Sequence, residues 1–130
     1  MQIYGREVGF RFTVGASAKI SDLCPGGDIT RLGEVLEGSY GKVVRDTAAI
    51  IVAMSEGYAA ALAFETFGRA DIGGDWIPPR PLTVDEVLSL RESKFIQLQQ
   101  AALAAWTEDS KSTVEVEPEK KESGKEQASS

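Results

Sequence analysis

Residues 40–67 read YGKVVRDTAAIIVAMSEGYAAALAFETF, and this stretch decides the fold. Its apolar side chains recur at helical spacing. Val44, Ile51, Tyr58 and Leu62 line one side; Val43, Ile50, Met54, Ala61 and Phe64 line the adjacent one. So wide an apolar face belongs to a central helix touched from several directions. A helix over Tyr40–Phe67 is therefore predicted, with Gly57 leaving open a bend or a break into two helices. Residues 47–64 are about long enough to be considered as a membrane span. Glu56 is their single charge, but Ser55-Glu56-Gly57 interrupts the centre and many of the residues are small alanines. A buried or partner-covered helix is the expectation, and no membrane partner.

Upstream, Ile3, Val8, Phe10 and Phe12 alternate with polar residues around Gly5-Arg6-Glu7, which predicts a β-hairpin over residues 1–13. Two strands alone are marginal, so the hairpin must pack on helices or pair with another chain. The opening Met1-Gln2-Ile3-Tyr4-Gly5-Arg6-Glu7 has no basic segment followed by an apolar run, so it does not read as a signal peptide. A first helix is expected over residues 15–23, with Ala16, Ile20 and Leu23 facing inward. Cys24-Pro25-Gly26-Gly27 ends it. Asp28 is a good N-cap for a second helix, with Ile29, Leu32 and Leu36 as its buried stripe.

Downstream, Gly73-Gly74 and Pro78-Pro79-Arg80-Pro81 make residues 68–81 a loop, in which Trp76 and Ile77 are anchors. Thr83 and Glu86 form a capping box, and Leu82 with Val87 the matching hydrophobic staple. The segment from there to Trp106 is one helix, or two if Ser89-Leu90-Arg91-Glu92 starts afresh. Phe95, Leu98, Ala102 and Ala105 carry its stripe. From residue 107 the composition changes: seven acids and four lysines, no aromatic and two valines. Such a segment buries too little to offset its ordering entropy. The domain reading is a helical body over 1–106 and a charged, disordered tail over 107–130. The fold class expected is mainly α (α+β), a short N-terminal hairpin followed by a bundle of four to five helices.

Composition narrows the function. The chain has 130 residues, a net charge of −6, one Cys and no His. The acidic balance, with a pI of about 4.7, argues against a nucleic-acid partner, which needs a basic footprint. Without His there is no Ser-His-Asp triad, no Cys-His pair and no His-ligated zinc. One Cys makes no internal disulfide and no thiolate cluster. Cys24 has no cationic neighbour in sequence and reads as a half-buried helix-end residue. Asp71 and Asp75 flank a glycine turn but lack the ligand number of a calcium loop. Asp85 and Glu86 are explained by the cap and the helix dipole. No catalytic residue, cofactor or metal site is expected, and an enzyme is the least supported class.

What remains is a protein that works by contact. The apolar surplus of residues 47–64 and 95–106 is either core or a surface for a partner's amphipathic helix or a second subunit. Gln97, Gln99 and Gln100 are either a polar seam for such a helix or a solvated face. Tyr58, Phe64, Phe95, Leu98 and Trp106 are the partner-binding candidates, because aromatics and leucines supply most burial energy.

The opening Tyr4-Gly5-Arg6-Glu7-Val8-Gly9-Phe10-Arg11-Phe12-Thr13, residues 48–61, the Ala-rich helix before Trp106 and the polar, charged tail together resemble tail assembly chaperones of long-tailed (siphovirus-type) phages and prophages. The likeness is one of pattern and size over most of residues 1–106. It implies a small helical protein in the host bacterial cytoplasm, absent from the mature virion. Its partners would be the tape-measure protein, which it keeps soluble, and the tail-tube protein that polymerises around it. Such proteins often form homo-oligomers, and a frameshifted longer form is common among them. Two other classes stay open: a structural head–tail connector or tail component of the virion, and a small acidic regulatory protein that captures a basic partner.

Overall fold

The structure, a computed structural model, describes residues 1–67 and 79–116. The expectations for Trp76, Ile77, Asp71 and Asp75, and for the chain beyond Val116, lie outside those residues. Among the described residues the fold is mainly helical, with a short N-terminal antiparallel hairpin, as the sequence predicts.

The hairpin is tighter than its sequence pattern implies. Strands β1 (Gln2–Ile3) and β2 (Arg6–Glu7) pair Gln2 with Glu7 and Ile3 with Arg6. The turn is therefore Tyr4-Gly5, and Arg6 and Glu7 belong to the second strand. Tyr4 and Gly5 both take positive φ, 50° and 78°, the backbone hand that matches strand twist in two-residue turns. Residues 8–13 leave the hairpin as an extended strap rather than a longer strand.

Helix α1 (Val14–Ser21) starts at Thr13, whose Oγ1 accepts the Ala16 N–H at 3.1 Å. Ala16 and Ile20 are buried as expected. The second helical segment begins at Asp28, whose Oδ1 accepts the Thr30 N–H at 3.0 Å. It opens as a 3-10 turn over Ile29–Arg31 before α2 (Leu32–Val35). That turn corrects the expected stripe. With three residues per turn, inward positions fall at 29, 32 and 35. Val35 is the fully buried member, and Leu36 stays 45% exposed.

Helix α3 (Tyr40–Phe67) is continuous through Gly57. By length and composition alone it matches a membrane span, with a mean hydropathy of 1.5 over an 18-residue window. In the fold it is the helix onto which the others dock. Helix α4 (Val84–Leu88) carries the predicted capping box: Thr83 Oγ1 accepts from Glu86 N at 3.2 Å and Glu86 Oε1 from Thr83 N at 2.9 Å. Leu82 and Val87 of the staple are both buried. The chain then breaks at residues 89–91, where the Ser89 hydroxyl donates to Asp85 O at 2.7 Å. Helix α5 (Glu92–Val116) follows.

Helix α5 passes straight through the change of composition at residue 107. Charged residues are tolerated on a helix surface, and the first helix-breaking residue after Trp106 is Pro118. The Asp109 carboxylate also accepts the Phe12 backbone N–H at 2.7 Å, tying this part of the helix to the N-terminal strap. The core gathers Ile3 and Val8 from the N-terminus, Ile20 from α1, Ile51 and Met54 from α3, and Leu82, Val87 and Leu98 from the C-terminal part.

Candidate functional site

The three residues that interrupt α3 in sequence each receive a different part of the chain. Ser55 is 1% exposed. Its Oγ donates to Val52 O at 2.8 Å and accepts the Leu82 N–H at 3.0 Å, which seats the segment leading into α4. Glu56 pairs with Lys19 of α1 at 2.7 Å. Gly57 admits the strap: a Cβ there would lie 2.5 Å from Arg11 O and 2.8 Å from Thr13 Oγ1. One turn earlier, Met54 O accepts the Arg11 N–H at 3.1 Å. Gly9 lies against the Tyr58 ring, 2.6 Å from the position of a would-be Cβ.

The N-terminus is locked to α4 by Arg6. Its guanidinium makes a two-pronged pair with Glu86 (2.8 and 3.0 Å) and donates to Pro81 O and Arg80 O at 3.0 and 3.2 Å. The hydrogen bonds from Arg6, and then the Thr83 N–H, pull the Glu86 carboxyl down to about 2. Glu86 is thus fully engaged in structure, and the candidate pair Asp85/Glu86 is a helix start. Burial raises the Cys24 thiol above its usual value, and its Sγ donates to Ile20 O at 3.4 Å; such a thiol is a poor nucleophile. Among the described residues no group of three or more acidic or sulfur ligands converges as a metal site.

One opening among the described residues is broadly apolar. A groove of about 290 Å³ lies between α2, α3 and α5, lined by Leu32, Leu36, Thr47, Ile50, Ile51, Gln99, Ala102, Leu103 and Trp106. Local rules explain each wall. The 3-10 start of α2 leaves Leu36 turned out of the core. Thr47, Ile50 and Ile51 sit on one side of α3 by helical spacing. On α5, Leu98 and Ala102 point inward, while Gln99, Leu103 and Trp106 follow at i, i+4, i+7 on the neighbouring stripe. Trp106 is held by stacking on Phe12, with ring centroids 4.1 Å apart and planes at 19°. Leu103 is 65% exposed and Ile96, two turns earlier on its stripe, also faces outward.

The five candidates from the sequence do not share a surface. Trp106 alone of them lines the groove. Leu98 is 0% exposed; it is core and offers no surface to a partner. Phe95 packs against the core and lines a smaller cleft with Tyr40, Val44 and Leu90. Tyr58 is half-buried and covers Gly9. Phe64 is 82% exposed near the far end of α3. Of the glutamines, all three are exposed and Gln99 lines the groove.

Sequence reasoning placed Ile50, Ile51 and Leu103 within its two apolar stretches without singling them out as site residues, and read Leu36 as part of a buried stripe. Their signal was partly present. Residues 95–107 contain no charge, although a helix with one buried stripe has room for several. No protein-family model, no curated protein and no solved structure matches the chain.

Proposed function

We propose that this chain is a tail assembly chaperone of a long-tailed phage or prophage, which binds the helical, hydrophobic tape-measure protein, keeps it soluble and hands it to the polymerising tail tube. The observation that carries the proposal is the open apolar groove between α2, α3 and α5. A contiguous apolar surface beside exposed Leu36, Ile96 and Leu103 is the feature a helix-binding protein needs and a solitary folded protein tends to hide. The net charge of −6 fits the second requirement, a carrier that stays soluble while holding an insoluble cargo. The likeness in pattern to tail assembly chaperones supplies the identity of the cargo.

The test is co-expression with the tape-measure reading frame from the same gene cluster. The soluble fraction of the tape measure is expected to rise several-fold when this chain is present. A tape measure equally soluble alone would end the chaperone proposal. Recovery of this chain as rings in purified particles would favour the structural connector instead.

A further inference from the structure

We propose that the groove, continued by the outer stripe of α5, takes an amphipathic helix whose docking face is uncharged and aliphatic and whose flanks carry Lys or Arg. The proposal rests on the chaperone reading for the biological owner of that helix, and on the surface itself for its chemistry.

The uncharged face comes from α5. Phe95 to Thr107 is a run of thirteen residues without a charge. At the chain's own charged content of 26%, thirteen residues carry about three. Burial does not explain the deficit. Ile96, Gln97, Gln99, Gln100, Leu103 and Ala104 are exposed, while Phe95, Leu98, Ala102, Ala105 and Trp106 pack inward. The run spans about 20 Å of helix. A partner laid along it desolvates no charge on this side, the condition found at the cores of interfaces. The groove holds room for about two aliphatic side chains, being roughly twice the size of a cavity that accepts benzene. Ile96, Gln99, Leu103 and Trp106 alternate steps of three and four, which matches the i, i+3, i+4, i+7 anchors of an incoming helix.

The basic flanks come from the charges around that surface. Arg31 is paired with Glu34 at 2.8 Å and Lys42 with Asp46 at 2.9 Å, so these four largely cancel. Glu37 follows the groove residue Leu36, and Glu92 lies one turn before Ile96 on the same stripe. Glu92 accepts the Tyr40 hydroxyl at 3.2 Å, a neutral partner that leaves its charge in place. Arg91 and Lys94 line a different cleft beside Tyr4, so Glu37 and Glu92 leave the surround acidic, within a chain of net charge −6. Complementary charge selects cationic flanks and speeds their arrival.

The test uses the full chain and three labelled helical peptides with the same leucine anchors, one flanked by Lys, one by Glu and one with its leucines scrambled. Binding is followed by fluorescence anisotropy at low and high salt. The Lys-flanked peptide is expected to bind roughly tenfold tighter than the Glu-flanked one at low salt, with the difference shrinking as salt rises. Scrambling should abolish binding. Leu103→Glu, at an exposed position, should weaken binding at least about tenfold with an unchanged melt. Glu37→Lys should erase part of the preference for Lys flanks. Equal or tighter binding of the Glu-flanked peptide overturns the proposal, as does Leu103→Glu binding like the parent. A chain that sediments as a dimer, and becomes a monomer on Leu103→Glu, assigns the surface to a second copy and also overturns it. Tape-measure solubility separates this proposal from the one beneath it. Peptide binding as expected, with a tape measure indifferent to the chain, leaves the surface and removes the chaperone. A tape measure kept soluble equally well by Leu103→Glu leaves the chaperone and removes the surface.

Discussion

Helices α3 and α5 are both long and both carry more apolar residues than one face needs, yet the fold treats them differently. Helix α3 is contacted from several sides. The strap crosses it at Met54 and Gly57, α1 reaches it through the pair Lys19–Glu56, and the segment into α4 hangs from Ser55. Helix α5 is held along one stripe and by contacts to the strap that include the stacking of Trp106 on Phe12 and the Asp109 carboxylate on the Phe12 N–H. Its other side carries exposed residues, Ile96 and Leu103 among them. An apolar helix becomes a core helix when it also carries small or polar residues that let neighbours approach. Without them, its surplus stays outside. Ser55 and Gly57 are such residues, whereas Gln99 on the outer stripe of α5 lines an open groove.

The contrast can be broken at several points, in decreasing order of expected effect. Leu98→Ala removes the fully buried centre of the inner stripe of α5 and should cost about 3 kcal/mol in chemical denaturation. A loss below about 1 kcal/mol would mean that this stripe does not hold α5 in place.

Gly57→Ala tests the contact of the strap with α3. The new Cβ meets the Arg11 carbonyl backbone, which has no flexible end to move aside. Overpacking of this kind costs about 3 kcal/mol, and the better helix propensity of alanine returns about 1, for a net loss of about 2. A stabilised variant would show that the strap does not sit on Gly57 in solution.

Arg6→Met should cost about 1.5 kcal/mol at neutral pH, because Glu86 loses a charged hydrogen-bond partner. The pH dependence gives the sharper measurement. Glu86 is depressed to about 2 in the fold, from an ordinary value near 4.5. Its contribution is therefore complete above about pH 4.5 and disappears as pH falls towards 2. The gap between parent and variant should narrow across that window. A gap constant from pH 7 to pH 3 would disprove the role given to this pair. Thr83→Ala should cost less again, about 1 kcal/mol, through the lost cap.

Leu103→Ser is the smallest effect and the counterpart of Leu98→Ala, on the same helix but the opposite stripe. At a side chain so exposed, a change within about 0.5 kcal/mol is expected in thermal or denaturant melts. A loss comparable to Leu98→Ala would mean that the outer stripe is covered within the chain, and the difference between the two helices would vanish.

Some of this protein was determined by its sequence alone. The bounds of α3, the capping box at Thr83 and Glu86, the cap at Asp28 and the inward stripe of α5 depend on residues within about four positions of each other, where periodicity and capping act. The general character, an acidic helical chain without histidine, is likewise a property of composition. Other features needed tertiary structure because they join residues far apart in sequence. Gly57 reads locally as a bend and is in fact the place where Arg11 comes close. Ser55 reads as an interruption and holds Leu82. Leu98 and Leu103 are both leucines on one helix, and only the position of α3 decides which is core and which is surface. The physical reason is that burial is a property of what lies opposite a side chain, and on this chain the opposing residue is often dozens of positions away.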